Sequence, residues 1–167
     1  MPYNLIIQNV YIMVDLDDFD RAILDVLQQQ GKASAQELAQ QTLLSASPSW
    51  RRVRRLEKEG VIERYAAILN PARLGLTLIA YVHVSLTDHA EETVEAFNRF
   101  VQEQERIVEC SSVTGDDDFL LKVLSRDTAH LEDFIMHGVL RLGVVRSSKT
   151  FISLRQTKYT TKVPVNI

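Results

Sequence analysis

Cysteine is nearly absent from this 167-residue sequence, which contains only Cys110. A single cysteine cannot form an intramolecular disulfide framework or a cysteine-based metal site, and it fits a reducing, cytoplasmic setting. Long hydrophobic runs are also missing, because the stretch from Leu5 to Val14 is interrupted by Gln8 and Asn9 and is too short to cross a bilayer. The sequence therefore predicts neither a signal peptide nor a membrane anchor.

Positive charge is not in excess either, since 19 lysines and arginines stand against 22 acidic residues and the formal net charge is -3. Taken for the whole chain, this balance argues against a nucleic-acid-binding protein, because such proteins are usually basic. The charge is unevenly distributed, however. Residues 1–74 hold nine basic and nine acidic residues, whereas residues 75–167 hold ten and thirteen, so the acidic excess belongs to the second part.

Three short helices are predicted near the start of the chain. Apolar residues at helical spacing and polar capping residues place them at 17–30, 35–41 and 49–59. The first begins at Asp17 or Asp18, and Ser34 caps the second. For the third we expect Ser47 as the N-cap and Pro48 as the first helical residue, with a buried side formed by Trp50, Val53 and Leu56.

The remainder of the chain predicts a second module. Its elements follow the order strand, helix, strand, strand, helix, strand over about 80 residues, which is the βαββαβ arrangement of the ferredoxin-like fold. The two helices would cover one face of the sheet. Because Ile79 and Tyr81 lie on the other face, we expect a second subunit to cover it and predict an obligate dimer.

Together these elements predict an α+β protein with five segments. The extension at 1–14 includes residues 1–12, which are hypothesised to precede the native start because Met13 stands just before the first clear helix. A winged or three-helix helix-turn-helix domain is expected at 15–62. A hinge strand at 63–75, a ferredoxin-like sandwich at 76–156 and a C-terminal tail at 157–167 complete the division.

Five of the nine cations in residues 1–74 lie between Arg51 and Lys58. A helix with a basic outer face and small hydroxyl residues at its start suits the major groove of DNA, where arginine binds guanine O6 and N7. A charge run alone more often marks a solvated helix face, but the preceding helix and short turn form a helix-turn-helix. The predicted DNA-binding residues are Ser47, Ser49, Arg51, Arg52, Arg54, Arg55 and Lys58.

Three stretches carry a resemblance to a known family. They are LDDFDRAIL at 16–24, LSASPSWRRVRRLEKEGVI at 44–62 and VTGDDDFLLKV at 113–123. With them, the chain resembles the Lrp/AsnC family of bacterial and archaeal transcription regulators over about residues 15–164. The resemblance implies an N-terminal helix-turn-helix domain, a hinge, and a ligand-sensing domain that forms dimers and often octamers, as a tetramer of dimers.

The resemblance also implies an effector site at the loop between the second and third strands, formed by Thr114, Gly115, Asp116 and Asp118. Gly115 would free backbone N–H groups for a carboxylate, and Asp116 or Asp118 would pair with an α-ammonium group. The alternative is a tight acidic turn in which Asp118 binds its own backbone. No metal site is predicted, because the aspartates lack the other ligands of a calcium loop.

The favoured function is a sequence-specific DNA-binding transcriptional regulator, modulated by a small effector such as an amino acid and without a cofactor. A homodimer would place two recognition helices on an imperfect palindromic operator. The alternatives are a ligand-gated interaction module and a small enzyme on a ferredoxin-like sheet, neither of them binding DNA. We expect no enzyme, since Asp116, Asp118, His83 and Cys110 form no recognisable catalytic spacing.

Overall fold

A computed structural model describes residues 13–165, so residues 1–12 of the predicted extension at 1–14 lie outside the described residues. The chain divides into two compact units. One comprises the residues up to Ile68 together with the C-terminal segment from Tyr159, and the other runs from Leu69 to Lys158. Residues 159–165 thus belong with the N-terminal unit, which the expectation of a separate tail did not include.

The first unit contains three helices, α1 at Asp18–Gln29, α2 at Ala35–Thr42 and α3 at Ala46–Lys58. Capping boxes start α1 and α2, because the side chains of Asp17 and Ser34 each accept from the backbone N–H three residues on, and their own backbone N–H groups donate to the side chains of Asp20 and Glu37. Leu43, in the left-handed conformation at φ 58°, ends α2 and turns the chain into α3. The buried core consists of Ile23, Leu24, Ala33, Leu38, Val53 and Leu56.

The C-terminal segment packs against α1. Gln28 binds both backbone groups of Val163, donating to its carbonyl at 3.1 Å and accepting from its N–H at 2.6 Å. Lys162 Nζ lies 2.8 Å from Asp25 Oδ1. A glutamine side chain can pair with an extended backbone in this way because its amide presents one donor and one acceptor.

The second unit is a four-stranded antiparallel sheet in the order β2-β3-β1-β4. This topology confirms the predicted ferredoxin-like fold. A 3₁₀ turn at Pro71–Leu74 precedes the sheet, and the last helix continues as a π-helical turn at Ile135–Val139. The elements are β1 at Leu78–Leu86, α4 at Glu91–Glu103, β2 at Ile107–Ser112, β3 at Phe119–Ser125, α5 at Thr128–Phe134 and β4 at Val145–Ile152.

The two faces of this sheet differ, as the alternation along β1 predicts. Ala80, Val82 and Val84 are fully buried in the core shared with the helices. Ile79 and Tyr81 point to the opposite face and are only half-buried. We call that opposite side the open face. It also carries Phe151 of β4, whose Cα is paired with that of Tyr81 and whose side chain is 55% exposed.

Candidate nucleic-acid interface and ligand loop

Helix α3 begins two residues before the predicted start at Pro48. Its N-cap is Ser45, and the predicted N-cap, Ser47, is an exposed residue inside the first turn. Pro48 is tolerated in that turn because the first N–H groups of a helix have no intrahelical partner. The prediction that Ser47 caps α3 is therefore wrong, although its side chain remains at the exposed start of the helix.

One side of α3 is fully buried in the core of the first unit. Ser49, Val53 and Leu56 form this side, and each is 0% exposed. The hydroxyl of Ser49 donates to the Ser45 carbonyl at 3.0 Å. The structure thus places Ser49, a predicted DNA-binding residue, where its hydroxyl is already bonded and DNA cannot reach it.

Trp50 differs from its expected place on the buried side, because 42% of it is exposed. At about 100° per residue, Trp50 lies roughly a quarter-turn from Ser49 and so at the border of the buried side. A shallow groove at this border is lined by the small residues Ala33, Ser34, Ala35, Ala46 and Ser47, and by Trp50 itself. These small side chains leave the indole partly open to solvent.

Two of the five cations on α3 are held by carboxylates at the start of α1. Arg52 Nη1 lies 2.7 Å from Asp17 Oδ2 and 2.9 Å from Asp20 Oδ1. Arg55 Nη2 is bonded to the other oxygen of Asp20. Since Asp20 is only 1% exposed, one buried carboxylate anchors two arginines of the neighbouring helix.

These bonds favour the charged forms of Asp17 and Arg52. The backbone N–H of Asp20 donates to Asp17 and, with the smaller contribution of Arg52, lowers the pKa of Asp17 below its ordinary value. Hydrogen bonds to Asp20 and then Asp17 raise the pKa of Arg52. The ion pair of Asp17 and Arg52 is thereby favoured, and the bonds of this cluster orient α3 against α1.

The other predicted DNA-binding residues lie on the outer side of α3. Within residues 13–165, no carboxylate pairs with Arg51, Arg54 or Lys58, and all three side chains are exposed together with Ser47. This surface, which we call the outer face, therefore carries three unneutralised cations. A set of that kind can bind phosphates and base edges of DNA.

The predicted effector loop joins β2 to β3. Thr114, Gly115 and Asp116 are all exposed, and Gly115 has φ 124°, which favours glycine. Across the described part of the chain, no hydrogen bond or ion pair engages Asp116. Its carboxylate is free to accept from a ligand.

Asp118, in contrast, is held from two sides. Its Oδ2 accepts from the Leu86 N–H at 2.8 Å, and its Oδ1 lies 2.7 Å from His89 Nε2. Partial desolvation disfavours the charge, but the His89 and Leu86 bonds and the positive charges of His89 and Arg146 outweigh it and lower the pKa of Asp118. The carboxylate thus ties the loop to the end of β1.

Asp117 is held as well, although sequence reasoning did not select it. Ser85 Oγ donates to Asp117 Oδ1 at 3.0 Å, and Lys149 Nζ lies 3.3 Å from both oxygens. His83 Nδ1 is 3.2 Å from Oδ2. Desolvation opposes ionisation here, but the bonds from Ser85 and Lys149, and the charges of Lys149 and His83, lower the pKa of Asp117.

Sequence reasoning also missed that Asp17 and Asp20 bind arginines, because it used Asp17 only as a helix cap and both residues only as part of the stretch at 16–24 that carries the resemblance. One signal was available. Two aspartates three residues apart precede a helix with five cations, and this pattern is compatible with ion pairs between the two helices. For His83 and Lys149 no comparable signal exists, because strand pairing alone brings them to Asp117.

Metal and thiol chemistry gain no support from the described residues. Residues 13–165 contain no group of three or more His, Cys, Asp or Glu side chains placed to hold a metal ion. Burial raises the pKa of the Cys110 thiol to about 11, so it stays protonated at neutral pH. Across the same residues, no helix is long and apolar enough to span a membrane.

Comparison with known proteins matches both units. The Lrp/AsnC ligand binding domain matches residues 79–163, and a winged helix-turn-helix DNA-binding domain matches residues 16–63. The leucine-responsive regulatory protein of Escherichia coli is 38% identical over 151 residues, which cover 90% of this chain and 92% of that protein.

Two solved structures extend the likeness to three dimensions. A transcriptional regulator of Neisseria meningitidis in complex with L-methionine has a TM-score of 0.88 and 33% identity, covering 91% of this chain and 98% of that one. A feast or famine regulatory protein of M. tuberculosis, complexed with L-methionine, has a TM-score of 0.77 and 30% identity, covering 89% and 99%. The chain therefore belongs to the Lrp/AsnC family of transcription regulators.

Proposed function

We propose that this chain binds specific DNA sites as a homodimer or higher assembly, and that an amino acid modulates its DNA binding or its assembly. The observation that carries the proposal is the outer face of α3, where Arg51, Arg54 and Lys58 lack carboxylate partners while Arg52 and Arg55 have them. The second helix of a helix-turn-helix, here α3, enters the major groove, and unpaired cations on its exposed face favour binding there.

In this proposal the basic residues of α3 divide into two roles. Arg51 and Arg54 bind base edges or phosphates, and Ser47 and Lys58 contact the phosphate backbone. Arg52 and Arg55 act through Asp17 and Asp20, fixing the angle between α3 and α1. Binding then depends on few cations per subunit, so paired half-sites and cooperative assembly supply much of the affinity.

For the effector we propose an amino acid at the loop of residues 114–118. Support comes from the two relatives solved with L-methionine and from the exposed Asp116 carboxylate beside Gly115. Asp116 would accept from the α-ammonium group, and the backbone N–H groups near Gly115 would donate to the carboxylate. Asp118 would shape the loop, since its oxygens are engaged by Leu86 and His89.

For assembly we propose a homodimer formed through the open face, and an octamer built as a tetramer of dimers. The half-buried Ile79 and Tyr81 and the exposed Phe151 support this, because a solvent-facing apolar sheet surface is costly. Two-fold symmetry would present two copies of α3 to an imperfect palindrome. We place the assembly in the cytoplasm, where its operators would lie.

Modulation would follow from linkage between the two sites. An amino acid shifts DNA occupancy only as far as it binds one assembly state better than another. The same coupling requires that DNA change the affinity for the amino acid by an equal factor. Both affinities are therefore measured on the same full-length protein.

The test is selection of a binding site from random double-stranded DNA, followed by fluorescence anisotropy with the selected labelled duplex. Arg51→Ala should weaken binding about 10- to 100-fold, the range expected for one arginine on a guanine. Lys58→Ala should cost about 2- to 5-fold and reduce the slope of log affinity against log salt by roughly 1.

An affinity of Arg51→Ala equal to that of the unchanged protein at physiological salt would remove α3 as the reading helix. If the unchanged protein enriches no sequence, the chain is a ligand-gated interaction module instead. Addition of L-methionine or L-leucine to the same assay should change the apparent affinity, and no response to any of the twenty amino acids would contradict the modulation.

A further inference from the structure

Trp50 is the single tryptophan of the sequence and lies half-exposed beside the outer face of α3. Large aromatic side chains stabilise a protein mainly by leaving water, so a tryptophan that keeps 42% of its surface exposed gains only part of that free energy. The core of the first unit is complete without it, because Trp50 is not among the residues of that core. Its position calls for a role at the surface.

Arg54 is held by this tryptophan. The Cζ atom of the Arg54 guanidinium lies 5.5 Å from the centroid of the Trp50 ring, a cation–π contact one helical turn along α3. Arg52 also lies over an aromatic ring, that of Phe19, at 5.5 Å, but its N–H groups and those of Arg55 are bound by the carboxylates of Asp17 and Asp20, whereas no carboxylate in residues 13–165 binds Arg54. An aromatic face orients a guanidinium without accepting its N–H groups in hydrogen bonds. Arg54 is thus positioned while its donors stay available.

The groove beside Trp50 allows close approach. It is shallow, has a volume of about 440 Å³, and is lined otherwise by alanines and serines at the starts of α2 and α3. No acidic side chain lines it, and Arg51 and Arg54 are exposed nearby on the same helix. A negatively charged strand of double-stranded DNA is the occupant that this charge distribution favours.

We propose that Trp50 and Arg54 form a two-residue base reader: Arg54 donates to O6 and N7 of a guanine, and Trp50 contacts the 5-methyl group of a neighbouring thymine. The inference rests on the proposed function, because it requires α3 to enter the major groove. Arginine matches guanine there through two parallel hydrogen bonds. The thymine methyl is the apolar group that bases present in that groove, and an exposed indole is its natural partner.

The competing role for Trp50 is purely structural, as a cover over the junction of α2 and α3. The two roles differ in what DNA does to the indole. If Trp50 reads a base, its indole loses water and contacts a base when DNA binds. If Trp50 only covers the junction of α2 and α3, the surroundings of the indole stay the same. Because no other tryptophan contributes, the emission of the full-length protein reports on this position alone.

The first measurement follows tryptophan emission and DNA anisotropy in one titration with the selected duplex. The reader requires the emission to shift or fall in step with the anisotropy. Binding by anisotropy with unchanged emission overturns the reader and leaves the proposed function intact. A full-length protein that binds no duplex overturns both.

The second measurement replaces each thymine of the duplex by deoxyuridine and each guanine by 7-deazaguanine, one position at a time. At one thymine, removal of the methyl group should lower the affinity for the duplex about 3- to 5-fold, the equivalent of about 0.8 kcal/mol for one buried methyl group. A guanine beside it should lose about 5- to 50-fold on loss of N7, within the range for an arginine–guanine pair.

Variants then assign the two bases. Trp50→Ala should abolish the sensitivity to deoxyuridine, and Arg54→Ala the sensitivity to 7-deazaguanine, at those positions. Trp50→Phe keeps an aromatic face and should retain most of the guanine sensitivity. Lys58→Ala is the matched control, since it removes one charge from the same helix and should leave both sensitivities in place.

A Trp50→Ala protein that remains as sensitive to the thymine methyl as the unchanged protein overturns the reader. Far-UV circular dichroism and the melting temperature check that each variant keeps the fold. If Trp50→Ala unfolds, Trp50→Phe and Arg54→Ala still decide the question. Equal base sensitivities in Arg54→Ala and Lys58→Ala would contradict the pairing.

Discussion

Both units hold carboxylates with basic side chains, but they leave groups of opposite charge unpaired. In the first unit the buried Asp20 and its neighbour Asp17 bind Arg52 and Arg55, and three cations remain on the outer face of α3. In the loop between β2 and β3, Asp117 and Asp118 are bound by Lys149, His83 and His89, and of the three consecutive aspartates only Asp116 lacks a partner within residues 13–165.

A run of like charges in the sequence does not show how many of those side chains remain unpaired at the surface. Five cations between Arg51 and Lys58 reduce to three, and three consecutive aspartates reduce to one. In both units the residues held by ion pairs or hydrogen bonds position the neighbouring residues that lack partners. A face of unpaired cations, which we propose binds DNA, and an unpaired carboxylate, which we propose binds an ammonium group, thus arise within one chain whose net charge is only -3.

The largest effect is expected at Asp20, the carboxylate that anchors two arginines. Asp20→Asn removes the charge that Arg52 and Arg55 bind and should lower the free energy of unfolding by about 2 to 3 kcal/mol, as hydrogen bonds to charged groups in buried positions do. Asp18→Asn is the matched control, because Asp18 is exposed in the same first turn. Urea denaturation followed by circular dichroism measures both.

If Asp20→Asn lowers the free energy of unfolding no more than Asp18→Asn does, the bonds of Asp20 to Arg52 and Arg55 do not organise the first unit. The comparison between the units would then rest on the ligand loop alone. The DNA affinity of Asp20→Asn sharpens the point, since a misoriented α3 should also bind the selected duplex less tightly.

A smaller effect is expected at Asp118. Asp118→Asn weakens the bonds from Leu86 and His89 and should lower the free energy of unfolding at neutral pH by about 1 to 2 kcal/mol. The folded-state pKa of Asp118 is lowered from 3.8, so this stabilisation is complete above that value and is lost as the pH falls through the lower folded-state pKa.

The difference in the free energy of unfolding between the unchanged protein and Asp118→Asn should therefore disappear at acidic pH. Urea denaturation at neutral pH and at pH values below 3.8 provides the measurement. A difference that stays constant across this range would show that the Asp118 carboxylate is not the source of the effect, whatever its size.

The smallest effect on stability is expected at Asp116, whose carboxylate has no partner among residues 13–165. Asp116→Asn should change the free energy of unfolding by less than about 0.5 kcal/mol, as for exposed positions generally. It should nevertheless reduce the rise in melting temperature that a binding amino acid produces in the unchanged protein. A full ligand-induced rise in Asp116→Asn would place the α-ammonium group elsewhere.

Most helical and strand elements were predictable because their signals are local, but the predicted hinge strand at 63–75 is wrong, since no strand forms there and a 3₁₀ turn spans Pro71–Leu74. Asp17 and Ser34 cap helices at the expected positions, and the alternation of Ala80, Val82 and Val84 identifies the covered face of β1. The start of α3 was misplaced by two residues because only Ser47 was considered as the N-cap, and Pro48 is compatible with more than one position in a first turn.

The sequence alone determined the two-module α+β fold, the basic second helix of a helix-turn-helix and the acidic loop, because periodicity, caps and charge runs are properties of neighbouring residues. The tertiary structure decided which charges remain free. It pairs Arg52 with residues 32 and 35 positions away, brings Lys149 to Asp117, and lays Val163 along α1. Such contacts depend on how the elements pack, and no local pattern encodes them.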